Sequence, residues 1–207
     1  IAYLCASPSG QTVALVSALS SDRGGVAGDL LTIDINTQTV RQIDSNKVDI
    51  TSIEWLSETR LLTAGQRSFE TVVLDHRLTD RSSSETVREQ WQSSQISGAG
   101  HYIKICSLKA GDCLLIAEGF KRAPEIGRIS GGLYHPIKSF DQGYQRQVEV
   151  IHKIKQVSWQ ASDGLEIQGW LLLPKGAAPH PIVMDMHGGP VWQWQPHWLG
   201  RRLHILM

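Results

Sequence analysis

The sequence predicts a mixed architecture: an all-β region of repeated short strands over residues 1–150, then the first strands and helix of an α/β unit over 151–207. Three observations lead there. Short apolar runs alternate with polar turns from Ile1 to about Gly132, with no long stretch of helical period. The runs recur in sets whose matching points lie about 41 to 53 residues apart. Past Gln156, two long alternating arms flank an Asp-Gly pair, and an apolar run at 182–186 stops abruptly at His187, Gly188, Gly189 and Pro190.

Composition narrows the function classes. With 207 residues, 41% of them hydrophobic and 19% charged, the chain can bury a sizeable core. Lys plus Arg and Asp plus Glu both number 20, so no global field draws the chain to nucleic acid or to an anionic membrane. No apolar run approaches the length of a membrane span, and no charged start followed by an apolar stretch marks a signal peptide. A soluble, cytoplasmic chain is expected, binding neither nucleic acid nor membrane. Cys5, Cys106 and Cys113 form an odd set without CxxC spacing, which favours reduced thiols over a disulfide framework or a zinc ribbon. The chain starts at Ile1 and ends in HILM inside a helical pattern, so it reads as a fragment of a longer protein.

The first set is apolar at 1–6, turns at Ser7, Pro8, Ser9 and Gly10, and is apolar again at 12–17. It alternates at 30–35, turns at Asn36, Thr37 and Gln38, and returns at 39–43. A second set runs through 52–56, 61–64 and 71–74, and a weaker third through 102–107, 114–117 and 125–129. The stretch 79–95, rich in Ser, Arg and Glu, reads as a solvated loop. Repeats of this length suit the blades of a β-propeller, small four-stranded sheets that must stack to bury both faces. Three blades do not close a ring, so this is a partial propeller; a β-sandwich with similar strand spacing is the alternative.

Between Gly131 and Ile154 the pattern loosens, and the domain boundary is placed near 147–156. Val157, Trp159 and Ala161 alternate up to Asp163-Gly164, and Leu165, Ile167, Gly169, Leu171 and Leu173 alternate away from it. Asp-Gly between alternating arms predicts a hairpin with a type I′ turn, whose two central residues take positive φ. The continuous apolarity of 182–186 predicts a strand covered on both faces. Leu199, Leu203 and Leu206 recur at helical spacing and predict a helix, with Arg201 and Arg202 on its solvent face.

A strand delivering two glycines to a sheet edge is how an oxyanion hole is built. Glycine leaves a substrate room to approach, and backbone N–H groups can meet a carbonyl oxygen that becomes negative under nucleophilic attack. An ordinary Gly-Pro turn after a strand is the plainer reading of the same residues.

The combination of VSWQASDGLEIQGWLLLP, a short gap and PIVMDMHGGP, with a propeller-like region upstream, resembles the prolyl oligopeptidase family of serine peptidases, in particular its acylaminoacyl-peptidase and dipeptidyl-peptidase-like branch. The resemblance is specific over about residues 155–207 and architectural before that. It implies the C-terminal blades of a β-propeller over 1–150 and the N-terminal strands of an α/β-hydrolase domain over 151–207. It also implies short peptides as substrates, an acyl-enzyme intermediate and no cofactor. On that pattern Gly189 gives its N–H to the oxyanion, Gly188 allows the close approach, and His187 orients the loop without being the general base. The family carries its serine in a GxSxGG elbow after this loop, and the chain contains no GxSxG. The triad is therefore expected beyond Met207, and the fragment alone should be inactive. A propeller fused to a degenerate hydrolase domain, binding peptides without cutting them, is the second reading; homo-oligomerisation is open.

Other constellations carry weaker signals. Asp185 alternates with Met184 and Met186, and reads as a structural carboxylate needing a partner. His180, His187, His197 and His204 lack metal-ligand spacing. Trp192, Trp194 and Trp198 suit either a pocket wall or packing between layers. Glu125 suits a salt bridge on a blade better than a substrate contact.

Overall fold

A computed structural model describes residues 1–19, 25–79, 86–143, 145–189 and 192–201, without the side chains of residues 145, 147 and 201. Three antiparallel meanders succeed one another. The first joins β1 (Ala2–Ala6), β2 (Thr12–Ser17), β3 (Asp29–Asp34) and β4 (Val40–Ile43) in sequence order. The second joins β5 (Asp49–Ser57), β6 (Arg60–Arg67), β7 (Glu70–Arg77) and β8 (Thr86–Ser93). The third contains β9 (Ser97–Gly98), β10 (Ile105–Ser107), β11 (Cys113–Gly119), β12 (Arg122–Ser130) and β13 (Leu133–Ser139), with β9 and β10 both pairing with β11. A separate two-stranded hairpin, β14 (Ile151–Gln160) with β15 (Glu166–Pro174), follows a single helical turn, α1 (Gln145–Val148).

The middle sheet explains the stacking. Leu61, Val72 and Leu74 join one core cluster with Val16, Leu30 and Ile50. Leu62, Ala64 and Val73 join another with Ile103, Leu115 and Ile129. Neighbours along one strand enter opposite clusters because successive side chains point to opposite faces. A sheet covered on both faces needs continuous apolar runs, which is why LLTA and TVVL read as runs. Leu61, Leu62 and Leu74 are fully buried, and each such side chain contributes roughly 2 kcal/mol. Short polar contacts tie successive sheets at β5. Trp55 donates its indole N–H to the Cys5 carbonyl at 2.8 Å, Thr51 donates to the Ile103 carbonyl at 2.9 Å, and Ser52 accepts from the Ile105 amide at 3.1 Å. Meanders stacked in this way are consistent with a propeller-like β domain.

Two strands depart from the expectation. Residues 86–93, expected within a solvated loop, form β8, and the loosened stretch after Gly131 holds β13. Both are outer strands. In β8 only Trp91 is buried, and β13 has no fully buried residue, so neither carries the hydrophobic alternation by which a half-buried strand is recognised. The expected loop at 79–95 falls partly on residues 80–85, outside the described residues.

The Asp-Gly hairpin forms with a different turn. Ala161 donates to the Leu165 carbonyl at 2.8 Å, leaving a three-residue loop, and only Gly164 (φ 86°) takes positive φ. This is a turn closed by a glycine bulge, which needs one left-handed residue where type I′ needs two.

The expected strand at 182–186 pairs with nothing among the described residues, and Ile182, Val183, Met184 and Met186 are 71–80% exposed. Its apolar run suits a strand covered on both faces, but no described element covers it. Every strand pairing is antiparallel among the described residues, and the α/β layer expected over 151–207 is not formed there. Leu199–Arg201 forms a single 3-10 turn; Arg202, Leu203, His204 and Leu206, on which the helix expectation rested, lie outside the described residues. Among the described residues no helix is long and apolar enough to cross a membrane.

A third core cluster gathers Phe120, Ala123, Val148, Ile151, Trp198 and Leu199, with Trp170 and Leu172 packed against it. It joins the third sheet, the hairpin and the segment after the glycine loop in one apolar contact.

Candidate functional site

The loop built by His187, Gly188 and Gly189 lies on the surface. Gly189 has φ 108°, a backbone state that a residue with a Cβ rarely adopts. A Cβ added at Gly188 would meet nothing within 4 Å, so the approach to this stretch of backbone is open. His187 Nδ1 is 3.2 Å from the Gly188 carbonyl oxygen. Pro190 lies outside the described residues. Asp185 is exposed, so its carboxylate bears little desolvation cost.

The segment 192–198 holds this loop's neighbourhood to the β domain. Trp194 donates its indole N–H to the Asp185 carbonyl at 3.0 Å, and its own carbonyl accepts from Trp170 Nε1 at 3.2 Å. Trp192 touches His187 edge-to-face at 6.3 Å between ring centroids, His101 at 5.5 Å and Trp194 at 5.2 Å. Gln195 is 2% exposed; it accepts from Gln66 Nε2 at 3.1 Å and donates to the His101 carbonyl at 3.2 Å. A buried amide with both ends bonded is held in one orientation, because an unmet polar group there costs its full desolvation. Ser97 donates to the Pro196 carbonyl at 3.3 Å, and His197 Nδ1 lies 2.8 Å from Glu118 Oε1. Trp170 adds edge contacts to Phe69 and Phe120 at 5.0 and 5.2 Å. The tryptophans thus pack between units.

Glu125 is committed elsewhere. It is 5% exposed and accepts from the Tyr134 hydroxyl at 2.7 Å and from Arg122 at 2.5 Å. Burial, with the Glu125 carboxylate second, pushes the Tyr134 hydroxyl pKa upward. His101, His187 and His197 all lie against the Trp192 ring, but among the described residues no group of three His, Cys, Asp or Glu could hold a metal, and His204 lies outside them. Gln195, His101 and Glu118 were not legible as partners. Gln195 leaves a trace in QWQP, polar residues set into a tryptophan-rich run, whereas His101 and Glu118 leave none.

No protein-family model matches the chain, and no curated protein does. Solved structures do. The apo form of AtxE2 isopeptidase matches with TM-score 0.53 at 13% identity, over 80% of this chain and 24% of that one. A serine-to-alanine variant of AtxE2 isopeptidase with Astexin3-dC4 bound matches with TM-score 0.56 at 13% identity, over 91% of this chain and 28% of that one. The chain shares the fold of part of this isopeptidase. A post-proline cleaving enzyme from Rickettsia typhi matches with TM-score 0.47 at 14% identity, over 82% of this chain and 25% of that one. The chain spans about a quarter of the length of these structures. The likeness extends well beyond the DG hairpin and HGG loop, because 91% of this chain cannot be covered without the three stacked meanders.

Proposed function

We propose that this chain is part of a serine peptidase of the prolyl oligopeptidase family, carrying the last blades of a β-propeller over 1–150 and the opening of an α/β-hydrolase domain over 151–207. Its substrates are short peptides, of the kind taken by acylaminoacyl or dipeptidyl peptidases. The observation that carries the reading is the glycine loop at His187, Gly188 and Gly189, with Gly189 at φ 108°, following a DG hairpin and docked on stacked β meanders. The likeness in fold to an isopeptidase supports it.

In this reading a serine outside the chain attacks the scissile carbonyl and an acyl-enzyme forms, which water then cleaves. The Gly189 N–H meets the oxygen as it becomes negative, and the absence of a Cβ at Gly188 lets the substrate come close. His187 orients the loop. The β domain restricts entry to short or unfolded peptides.

Labelling of the full-length protein with a fluorophosphonate tests this. Covalent labelling of one serine, blocked by a competing short peptide, is expected. An unlabelled protein that still binds peptides would instead establish the non-catalytic binding module.

A further inference from the structure

We propose that Trp194 is a positioning residue that sets the glycine loop from the β domain, an inference that rests on the peptidase reading for its consequence but not for its geometry. The indole N–H of Trp194 holds the Asp185 carbonyl at 3.0 Å, two residues before His187. The backbone of Trp194 is held in turn: its carbonyl accepts from Trp170 Nε1 on β15 at 3.2 Å. Its chain neighbour Gln195 is buried and bonded at both ends of its amide, to Gln66 of β6 and to the carbonyl of His101. The indole ring also packs on Trp192 at 5.2 Å, and Trp192 touches the His187 ring.

The stretch 182–186 has no strand partner among the described residues, and its apolar side chains are largely exposed. The contacts of Trp194 and Trp192 are therefore ties that link this stretch and the loop to the rest of the molecule. An oxyanion donor must sit within a few tenths of an ångström of its productive place to act only on the transition state. A donor carried on a surface loop has that precision only if something rigid holds the loop. Gln195, at 2% exposure, is the rigid anchor, and Trp194 conveys its position to the Asp185 carbonyl.

Trp194→Phe in the full-length protein is the test, since it keeps a ring and removes the N–H donor. Trp194 is only half-buried, so the variant should fold with a thermal midpoint near that of the parent. Losing one such bond is expected to speed limited proteolysis within 182–189 by about five- to tenfold, since cleavage requires this stretch to leave its place. Peptide hydrolysis should lose kcat by about tenfold with KM within about twofold, because a misplaced oxyanion donor weakens transition-state binding more than substrate binding. Gln66→Met, which removes the donor to Gln195 at the other end of the chain of contacts, should move proteolysis in the same direction. Unchanged proteolysis within 182–189 in Trp194→Phe overturns the positioning role, as does a raised KM with kcat intact. A wild-type protein that neither hydrolyses peptides nor takes up fluorophosphonate overturns the peptidase reading instead, and the proteolysis rate then decides the positioning role alone.

Discussion

Glu118 Oε1 holds His197 Nδ1 at 2.8 Å, joining the third sheet to the segment that follows the glycine loop. The two side chains are 9% and 15% exposed. The carboxylate accepts, so the proton sits on Nδ1, and Nε2 has no hydrogen-bond partner among the described residues. Glu118→Leu is expected to lower folding stability by about 1 to 3 kcal/mol, and Glu118→Gln by less, because an amide oxygen still accepts. Urea unfolding of both variants checks the order; equal losses would assign the effect to packing alone.

Gly127 faces the ring of Tyr134 so closely that an added Cβ would lie 2.3 Å from it. Gly127→Ala must shift the ring, which packs 6.1 Å from Trp91 between centroids and donates its hydroxyl to Glu125. Overpacking of this kind costs about 1 to 3 kcal/mol. Tyr134→Ala alone should also destabilise, and the double variant should lose much less than the sum. Strict additivity in a double-mutant cycle would show that the two residues do not meet.

His76 gives stability a pH dependence. It is 1% exposed with Nε2 2.8 Å from Thr63 Oγ1. Burial lowers its pKa from 6.5 to about 4, outweighing the nearby Asp75 and Asp44 carboxylates. The folded state therefore takes up this proton less readily than the unfolded state. The contribution is present in full above about pH 6.5, and is lost as pH falls toward 4. Its full size is about 3 kcal/mol. His76→Gln should flatten the slope of unfolding free energy between these limits, and an unchanged slope would place the titration elsewhere.

The thiols should differ in reactivity. Cys113 is fully buried on β11, and burial pushes its pKa up to about 12, whereas Cys106 is exposed. The thiolate is the reactive form. Iodoacetamide at neutral pH is expected to modify Cys106 first and Cys113 only on unfolding; early labelling of Cys113 would contradict its burial.

Gly189→Val in the full-length protein is expected to lower peptide turnover at least about a hundredfold. Valine does not readily take φ 108°, so the N–H leaves its place, while the exposed loop contributes little to the core. Near-normal turnover in a folded variant would remove Gly189 from the chemistry.

Alternation and turn residues, both local, made the inner strands and the hairpin arms legible in the sequence alone. The tertiary structure decided what depends on partners distant along the chain. The outer strands β8 and β13 carry almost no apolar pattern, since an outer strand is specified by the neighbour it pairs with. The hairpin turn followed the register of its arms instead of the preference of Asp-Gly. The apolar run at 182–186 reads as a covered strand, yet it is exposed among the described residues, because apolarity states a need for cover and does not supply it. Gln195, Glu118 and His101 became partners only once Gln66, His197 and Trp192 were brought beside them, and pairings across such separations leave no local signature in a single sequence.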